Sequence, residues 1–443
     1  MFLAAVVLVV AVVAECGPTR MLGAFVWDTR SGASPVIADQ DIYGMARLLI
    51  DRGDTVSVLD IVQRYHDVPF YSADISVQSQ VEDAFRKSGA TCIIHTASPP
   101  HGLDPAIYWR VNVEGTRAVI AAAIALRIEK LVFTSSAGVV FNGKDLVNID
   151  ERYPYPDVPL DAYNESKAKA EELVLAANGK DGLLTVVLRP SGIFGPGDRQ
   201  VMQGLMQVLY NKQTHFQLGD NTNLFDWTYV TNVAKAHLLA ADRLTDPRPD
   251  LAEAVDQPLP PIDLSTGVRR VPTSKARLTG PVVQPSPNAA ELEVAYRSSP
   301  IYEPRPVHRT RFDQLAPSTM ERTESNALRV DGEVFFITNG EPIYFWDFTR
   351  TVWHLMGDPQ DRGVFRLPRS LAGVLATLAE GWSWLVGKEP GFTRFRVTFS
   401  CAQRWHNIEK ARLVLGYEPE IGVVEGIRRM CDWYKAEFME KKQ

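Results

Sequence analysis

The chain is poor in cysteine, in surplus positive charge and in long apolar runs. Its four cysteines (Cys16, Cys92, Cys401 and Cys431) stand far apart in 443 residues with no C-x-x-C pair. Neither a disulfide framework nor a zinc site is therefore indicated, and a reducing compartment is the default. The formal net charge of -6 offers no cationic surplus to neutralise phosphates, so nucleic acid is not an expected partner. The apolar N-terminus MFLAAVVLVVAVVAECG lacks a positive n-region and a small-x-small cleavage site, which argues against a signal peptide. It also falls short of the roughly 20 residues that span a bilayer. It reads instead as a buried Val-rich strand opening a parallel sheet.

What is present is an ordinary globular composition, 45% hydrophobic and 23% charged, with ample apolar mass for a large core. From Thr55 onward short apolar runs alternate with amphipathic ones. TVSVLDI, TCIIHTA, KLVFTSS and LLTVVLRP are separated by helical patterns near Val77 to Ser88, across Pro105 to Ile128 and across Ala162 to Ala177, with another near Val201 to Asn211. This alternation predicts an α/β fold, a doubly wound Rossmann-type parallel sheet with a smaller C-terminal substrate-binding region. Ligands of such sheets bind beyond the carboxyl ends of the strands.

The pattern divides the chain into four parts: an N-terminal strand and helix segment (1–50), a dinucleotide-binding catalytic domain (51–245), a proline-rich insertion (246–330) and a C-terminal, membrane-proximal region (331–443). Thirteen of the 29 prolines lie between Pro247 and Pro317, and so little periodic apolar sequence predicts poor order there. A closing helix is expected across Val423 to Met439. Leu371 to Gly387 reads LAGVLATLAEGWSWLVG, which permits two readings: an interfacial helix with Trp382 and Trp384 among lipid headgroups, or a core helix with both indoles inside.

Chemistry is concentrated after the apolar runs. Tyr163 and Lys167, four residues apart on one helix, share a face, and a neighbouring ammonium favours phenolate, the form that acts as a base. Upstream, KLVF ends in Thr134-Ser135-Ser136, so Ser136 can hold a substrate oxygen or cap the next turn. Asp60 ends TVSVLD, where a carboxylate accepts from an adenosine ribose and repels a 2′-phosphate, which favours NAD over NADP. Asp74 and Ile75 in SADI, with Thr96, Ala97 and Ser98 after TCII, are placed to flank adenine and ribose, although each is also an ordinary turn residue. Pro190 and Ile193, in RPSGIFGPGD, are placed to hold the nicotinamide edge.

Together VLD, ADI, HTAS, VNVEGT, FTSS, YNESK and RPSGIFGPGD resemble the 3β-hydroxysteroid dehydrogenase family of extended short-chain dehydrogenases/reductases. FDWTYVTNVAKAHLLAA, FFITNGEPIYFWDF and GVVEGIRRMCDWY, with the proline-rich insertion, narrow the resemblance to the fungal sterol-4α-carboxylate 3-dehydrogenases (decarboxylating), from about Arg47 almost to the C-terminus. The resemblance implies NAD-dependent oxidation of a 3β-hydroxyl on a 4α-carboxysterol, with CO2 lost from the β-keto acid and no metal required. It assigns Tyr163, Lys167 and Ser136 to catalysis, and Lys167 also to the nicotinamide ribose. It further implies peripheral attachment to the cytosolic face of the endoplasmic reticulum and other enzymes of C4 demethylation as partners. Oxidation or reduction without decarboxylation, a specialised triterpenoid substrate, and a non-catalytic partner-binding role are alternatives.

The N-terminus departs from that family. A strand, a G-G-x-G-x-x-G loop and a helix are expected, since glycines let backbone N–H groups approach a pyrophosphate. Here Gly17 to Gly23 carries Pro18 and Arg20, one lacking a donor and the other bulky. An extra stretch, AFVWDTRSGASPVIADQ, then precedes the helix pattern IYGMARLLIDRGD. Either an exon boundary is wrongly translated or the cofactor loop is impaired.

Overall fold

β-branched runs covered on both faces belong in the middle of a sheet, and amphipathic helices must bury one stripe against it. The computed structural model describes residues 10–13, 40–63, 66–99, 103–151, 153–198, 201–244, 330–358, 363–386 and 392–439. The first half contains β1 (Val10–Val13), α1 (Gln40–Arg52), β2 (Val56–Asp60), β3 (Phe70–Ser72), α2 (Gln78–Ser88), β4 (Cys92–His95) and α3 (Pro105–Tyr108). A π-helical turn (Trp109–Gly115) leads into α4 (Thr116–Ala125), β5 (Lys130–Thr134), β6 (Leu146–Ile149), α5 (Ala162–Ala177) and β7 (Leu184–Pro190). Then come β8 (Gly192–Phe194), α6 (Val201–Tyr210), β9 (Phe216–Leu218), β10 (Leu224–Phe225), β11 (Trp227–Tyr229) and α7 (Val230–Arg243).

All of the proline-rich insertion except residue 330 lies outside the described residues, as does the Gly17 to Gly23 loop. Beyond the insertion the chain forms β12 (Val334–Ile337), β13 (Ile343–Tyr344), α8 (Phe345–Leu355), β14 (Phe365–Leu367) and α9 (Arg369–Val386). It ends with α10 (Arg394–Cys401), β15 (Arg404–His406), α11 (Glu409–Leu415) and α12 (Val423–Tyr434).

The main sheet has the order β12-β7-β5-β4-β1-β2-β3. Alternation along each strand feeds two cores. Val58, Ile94, Val132 and Val186 face α1, α7 and α11, while Leu59, Ile93, Leu131, Phe133 and Val187 face α2, α4 and α5. The strand order turns back beside β1 and β4, which makes that point the ligand crevice of a doubly wound sheet.

Two features differ from the sequence expectation. β1 takes the central position but runs antiparallel to both neighbours: Val10 pairs with Leu59 and His95, and Val13 with Val56 and Cys92. Either direction satisfies the backbone donors and acceptors of β2 and β4. The reversed strand delivers the chain at Val13 to the amino end of the parallel strands. Second, β12 pairs parallel with β7, so residues 334–337 complete the main sheet and the chain crosses the expected boundary near 331.

The smaller region contains the sheet β13-β10-β15-β6 and an aromatic core in which Trp227 stacks on Phe348, centroids 3.9 Å apart. In α9 the small residues Ala372 and Ala376 pack inward beside Val397. Leu371, Val374, Leu375, Leu378 and Trp382 are exposed, Trp382 by 67%. This overturns the core-helix reading for Trp382, because the narrow alanine face is the one that fits against α10. The Trp384 side chain lies outside the described residues. Among those residues no helix is long and apolar enough to cross a membrane.

Candidate active site

The site is built from strand ends and one helix start. Asp161 caps α5, its carboxylate accepting from the Asn164 amide at 2.7 Å, and so fixes the first turn that carries Tyr163. One turn on, buried Lys167 donates to the Thr134 carbonyl at 2.8 Å, tying α5 to the end of β5. Ser136 follows directly, and its Oγ accepts from the Gly138 amide at 3.0 Å. The capping role foreseen for Ser136 is therefore real, and the same hydroxyl faces the phenol, whose pKa it lowers. Gly138 permits this closeness, since a Cβ there would lie 2.2 Å from Asn164 Oδ1.

The electrostatics differ from the sequence expectation. The Tyr163 pKa is pushed up to about 12, chiefly by burial, with Ser98 and Ser136 pulling it down and Asp161 and Tyr108 raising it. Lys167 is not among the causes. Burial lowers its own pKa to about 7, against the pull of Glu171, and its ammonium is held by Thr134. Phenolate formation therefore needs more positive potential than the helix spacing suggested.

Around the pair lie residues that the sequence reading did not single out. Tyr108 meets Tyr163 edge to face, centroids 5.7 Å apart. Asn112, in the π turn, donates to Ser166 Oγ at 2.9 Å and anchors that turn on the catalytic helix. Ser135 Oγ, Tyr155 Oη and the Arg189 guanidinium all donate to Glu171, locking β5, α5 and β7 together. Glu171 stands four residues beyond Lys167 on the same helix, a spacing that could have marked it.

The cofactor candidates line the same edge of the sheet. Asp60 is buried at the end of β2, where its Oδ1 accepts from the Val62 amide at 3.2 Å. Ala73 donates to the Asp60 carbonyl at 3.1 Å, bringing Asp74 alongside. Asp74 Oδ1 accepts from both the amide (2.9 Å) and hydroxyl (2.7 Å) of Ser76, so its turn role is present. Ile75 is buried against Gly115, where a Cβ would come within 2.4 Å of the isoleucine side chain. Thr96 and Ala97 follow β4 at the crevice. Pro190 ends β7, and Ile193 lies on β8, paired with Thr228 of β11.

These positions fit a dinucleotide at its adenosine and nicotinamide ends. The Ser98 Oγ is buried at the crevice and meets strict hydrogen-bond geometry with no partner among the described residues, while lying close enough to the phenol to lower its pKa. A buried hydroxyl of that kind suits a ligand partner.

The chain is similar to known proteins over most of its length. A model described as the 3-beta hydroxysteroid dehydrogenase/isomerase family matches residues 47–256. The sterol-4-alpha-carboxylate 3-dehydrogenase, decarboxylating, of Schizosaccharomyces pombe is 41% identical over 83% of this chain and 84% of its own. That of Saccharomyces cerevisiae is 41% identical over 83% of each, and that of Homo sapiens 28% over 88% and 84%. Among solved structures, the UDP-glucose 4-epimerase of Thermus thermophilus, in complex with NAD, aligns with TM-score 0.54 at 19% identity, covering 89% of this chain and 95% of the epimerase; this likeness shows the fold alone. By its residues, its fold and its relatives, the chain belongs to the 3β-hydroxysteroid dehydrogenase/isomerase family, alongside the decarboxylating sterol-4α-carboxylate 3-dehydrogenases.

Proposed function

We propose that the protein oxidises the 3β-hydroxyl of a 4α-carboxysterol with NAD and releases the carboxylate as CO2. The observation that carries this reading is the assembly of Tyr163, Lys167 and Ser136 at the carboxyl end of the sheet, in a chain 41% identical to a fungal enzyme named for that reaction. The complete constellation favours an enzyme over a non-catalytic binding subunit.

Lys167, Asp60 and Ser98 are the residues that would hold NAD, and the bound nicotinamide would supply a hydride acceptor for C3. Tyr163, as phenolate, takes the hydroxyl proton while Ser136 holds the same oxygen. The resulting 3-ketone lies β to the carboxylate, so the electrons of the breaking C4–carboxyl bond pass to the ketone oxygen as an enolate. Ser136 and the protonated Tyr163 donate to that oxygen, and protonation at C4 completes the 3-ketosterol. Lys167, fixed on Thr134, places positive charge beneath the site without touching the reacting atoms.

The exposed face of α9 supports attachment to the cytosolic surface of the endoplasmic reticulum, with its leucines and Trp382 among headgroups. The other enzymes of C4 demethylation are the partners this reading implies. The test is product stoichiometry: one CO2 for each NADH from a 4α-carboxysterol. NADH without CO2 would favour a plain hydroxysteroid dehydrogenase.

A further inference from the structure

Resting on that reading, we propose that Arg404 is the specificity residue for this reaction, its guanidinium binding the 4α-carboxylate of the sterol. The carboxylate is attached to the carbon next to the one that reacts. Whatever cation reads it must therefore lie close to the Tyr163 phenol; Lys167, Arg189 and Arg404 are buried or half-buried cations on the elements around it. Lys167 donates to the Thr134 carbonyl, and Arg189 is bound by Glu171 through both Nε and Nη2. The backbone carbonyl of Arg404 accepts from the Asp226 amide, but its guanidinium has no hydrogen bond or ion pair among the described residues.

Its surroundings place it at the site. Arg404 lies on β15 between Phe225 of β10 and Leu146 of β6. Its guanidinium carbon sits over three rings, 4.5 Å from the centroid of Phe141, 4.7 Å from that of Phe225 and 4.4 Å from that of Phe399. Phe141 closes the turn that begins at Ser136. Phe225 abuts Gly192, where a Cβ would lie 3.0 Å from its ring, beside the nicotinamide-edge residue Ile193. Asp161, two residues before Tyr163, is within electrostatic reach of both the phenol and the guanidinium. Both side chains are only half-buried by exposed surface, yet both are desolvated enough for their pKa values to move, Arg404 down to about 10. Groups that face an enclosed recess rather than bulk water behave in this way.

The chemistry fits a planar anion on an apolar body. A guanidinium matches a carboxylate through two parallel hydrogen bonds, and the three phenyl faces that flank it suit the adjoining sterol ring. Without a carboxylate the same Arg would confront a neutral sterol with an unpaired cation, which discriminates against it.

The test uses the full chain with NAD and three ligands: a 4α-carboxy-3β-hydroxysterol, its methyl ester and the corresponding 4α-methyl sterol. Wild-type protein should bind the ester at least about tenfold more weakly than the acid. Arg404→Met should raise KM for the acid about tenfold or more, leave kcat within about threefold and abolish the preference of acid over ester. Arg404→Lys should recover part of the affinity, and affinity for the 4α-methyl sterol should not fall in either variant.

Equal binding of acid and ester by wild type would overturn the proposal even if Arg404→Met failed to fold. So would a loss in the variants that is the same for all three ligands, which would mark Arg404 as packing. Failure of wild type to oxidise the carboxysterol at all would instead overturn the functional reading.

Discussion

The Lys167 ammonium donates to the Thr134 carbonyl across 2.8 Å, so the cation of the catalytic helix is anchored on the end of a strand rather than on the phenol four residues away. Lys167 therefore fixes the helix, whereas Tyr163 contributes its oxygen. Tyr163→Phe is expected to abolish NADH formation while leaving NAD affinity and thermal stability nearly unchanged. Lys167→Ala removes a buried donor as well as a charge and should lower stability by about 1–3 kcal/mol together with activity and NAD affinity. Turnover above a few per cent in Tyr163→Phe would remove that residue from the mechanism.

The phenol's pKa of about 12 and the ammonium's of about 7 give the pH dependence of the rate a sign. The base form of Tyr163 becomes more populated as pH rises, while loss of the Lys167 proton above about 7 makes it harder to form. Steady-state kcat should therefore increase with pH but less than tenfold per unit. Replacing Lys167 by Met should displace the profile to higher pH, and an unmoved profile would show that the two groups do not communicate.

Asp60, at the end of β2, is expected to read the adenosine ribose. Asp60→Ala should narrow the preference for NAD over NADP mainly by weakening NAD, as measured by titration with each cofactor. Wild-type preference for NADP would show that another strand end meets the ribose.

On α9, charge placed in the exposed apolar stripe should release the protein from membranes. Leu378→Glu with Trp382→Ala should move it from the pelleted to the soluble fraction while leaving the melting temperature unchanged, since both side chains are largely exposed. Unaltered membrane recovery would locate the anchor elsewhere.

Two buried histidines should limit acid stability. Burial holds His95 near pKa 3 and His237 near 4, both below the unfolded value of about 6.5. The folded state then refuses protons that the unfolded chain accepts, so stability is full above about pH 6.5 and falls as pH drops below it, by about 2 kcal/mol per histidine at pH 5. The raised carboxyl pKa values of Glu151 and Asp226 act in the opposite sense. Urea unfolding at pH 7 and pH 5 should show a smaller difference in a His95→Gln, His237→Gln variant, and an equal difference would refute the assignment.

Elements encoded by neighbouring residues were legible in the sequence. The span of α5 matches its pattern from Ala162 to Ala177, because helical periodicity and the Asp161 cap are local. Tyr163 and Lys167 share a face for the same reason, and the hydroxyls of Ser135 and Ser136 follow a short apolar run whose length and flanking turn residues read as a buried strand. Tertiary structure alone decided the rest. The antiparallel course of β1 depends on pairing with β2 and β4, and an apolar run has no direction of its own. The high phenol pKa and the low ammonium pKa come chiefly from burial, and the ammonium is anchored on an acceptor 33 residues away in the chain. The outward turn of Trp382 and the lack of a hydrogen-bond partner for the Arg404 guanidinium among the described residues likewise depend on what the fold packs around them, since exposure and hydrogen bonding are set by neighbours in space.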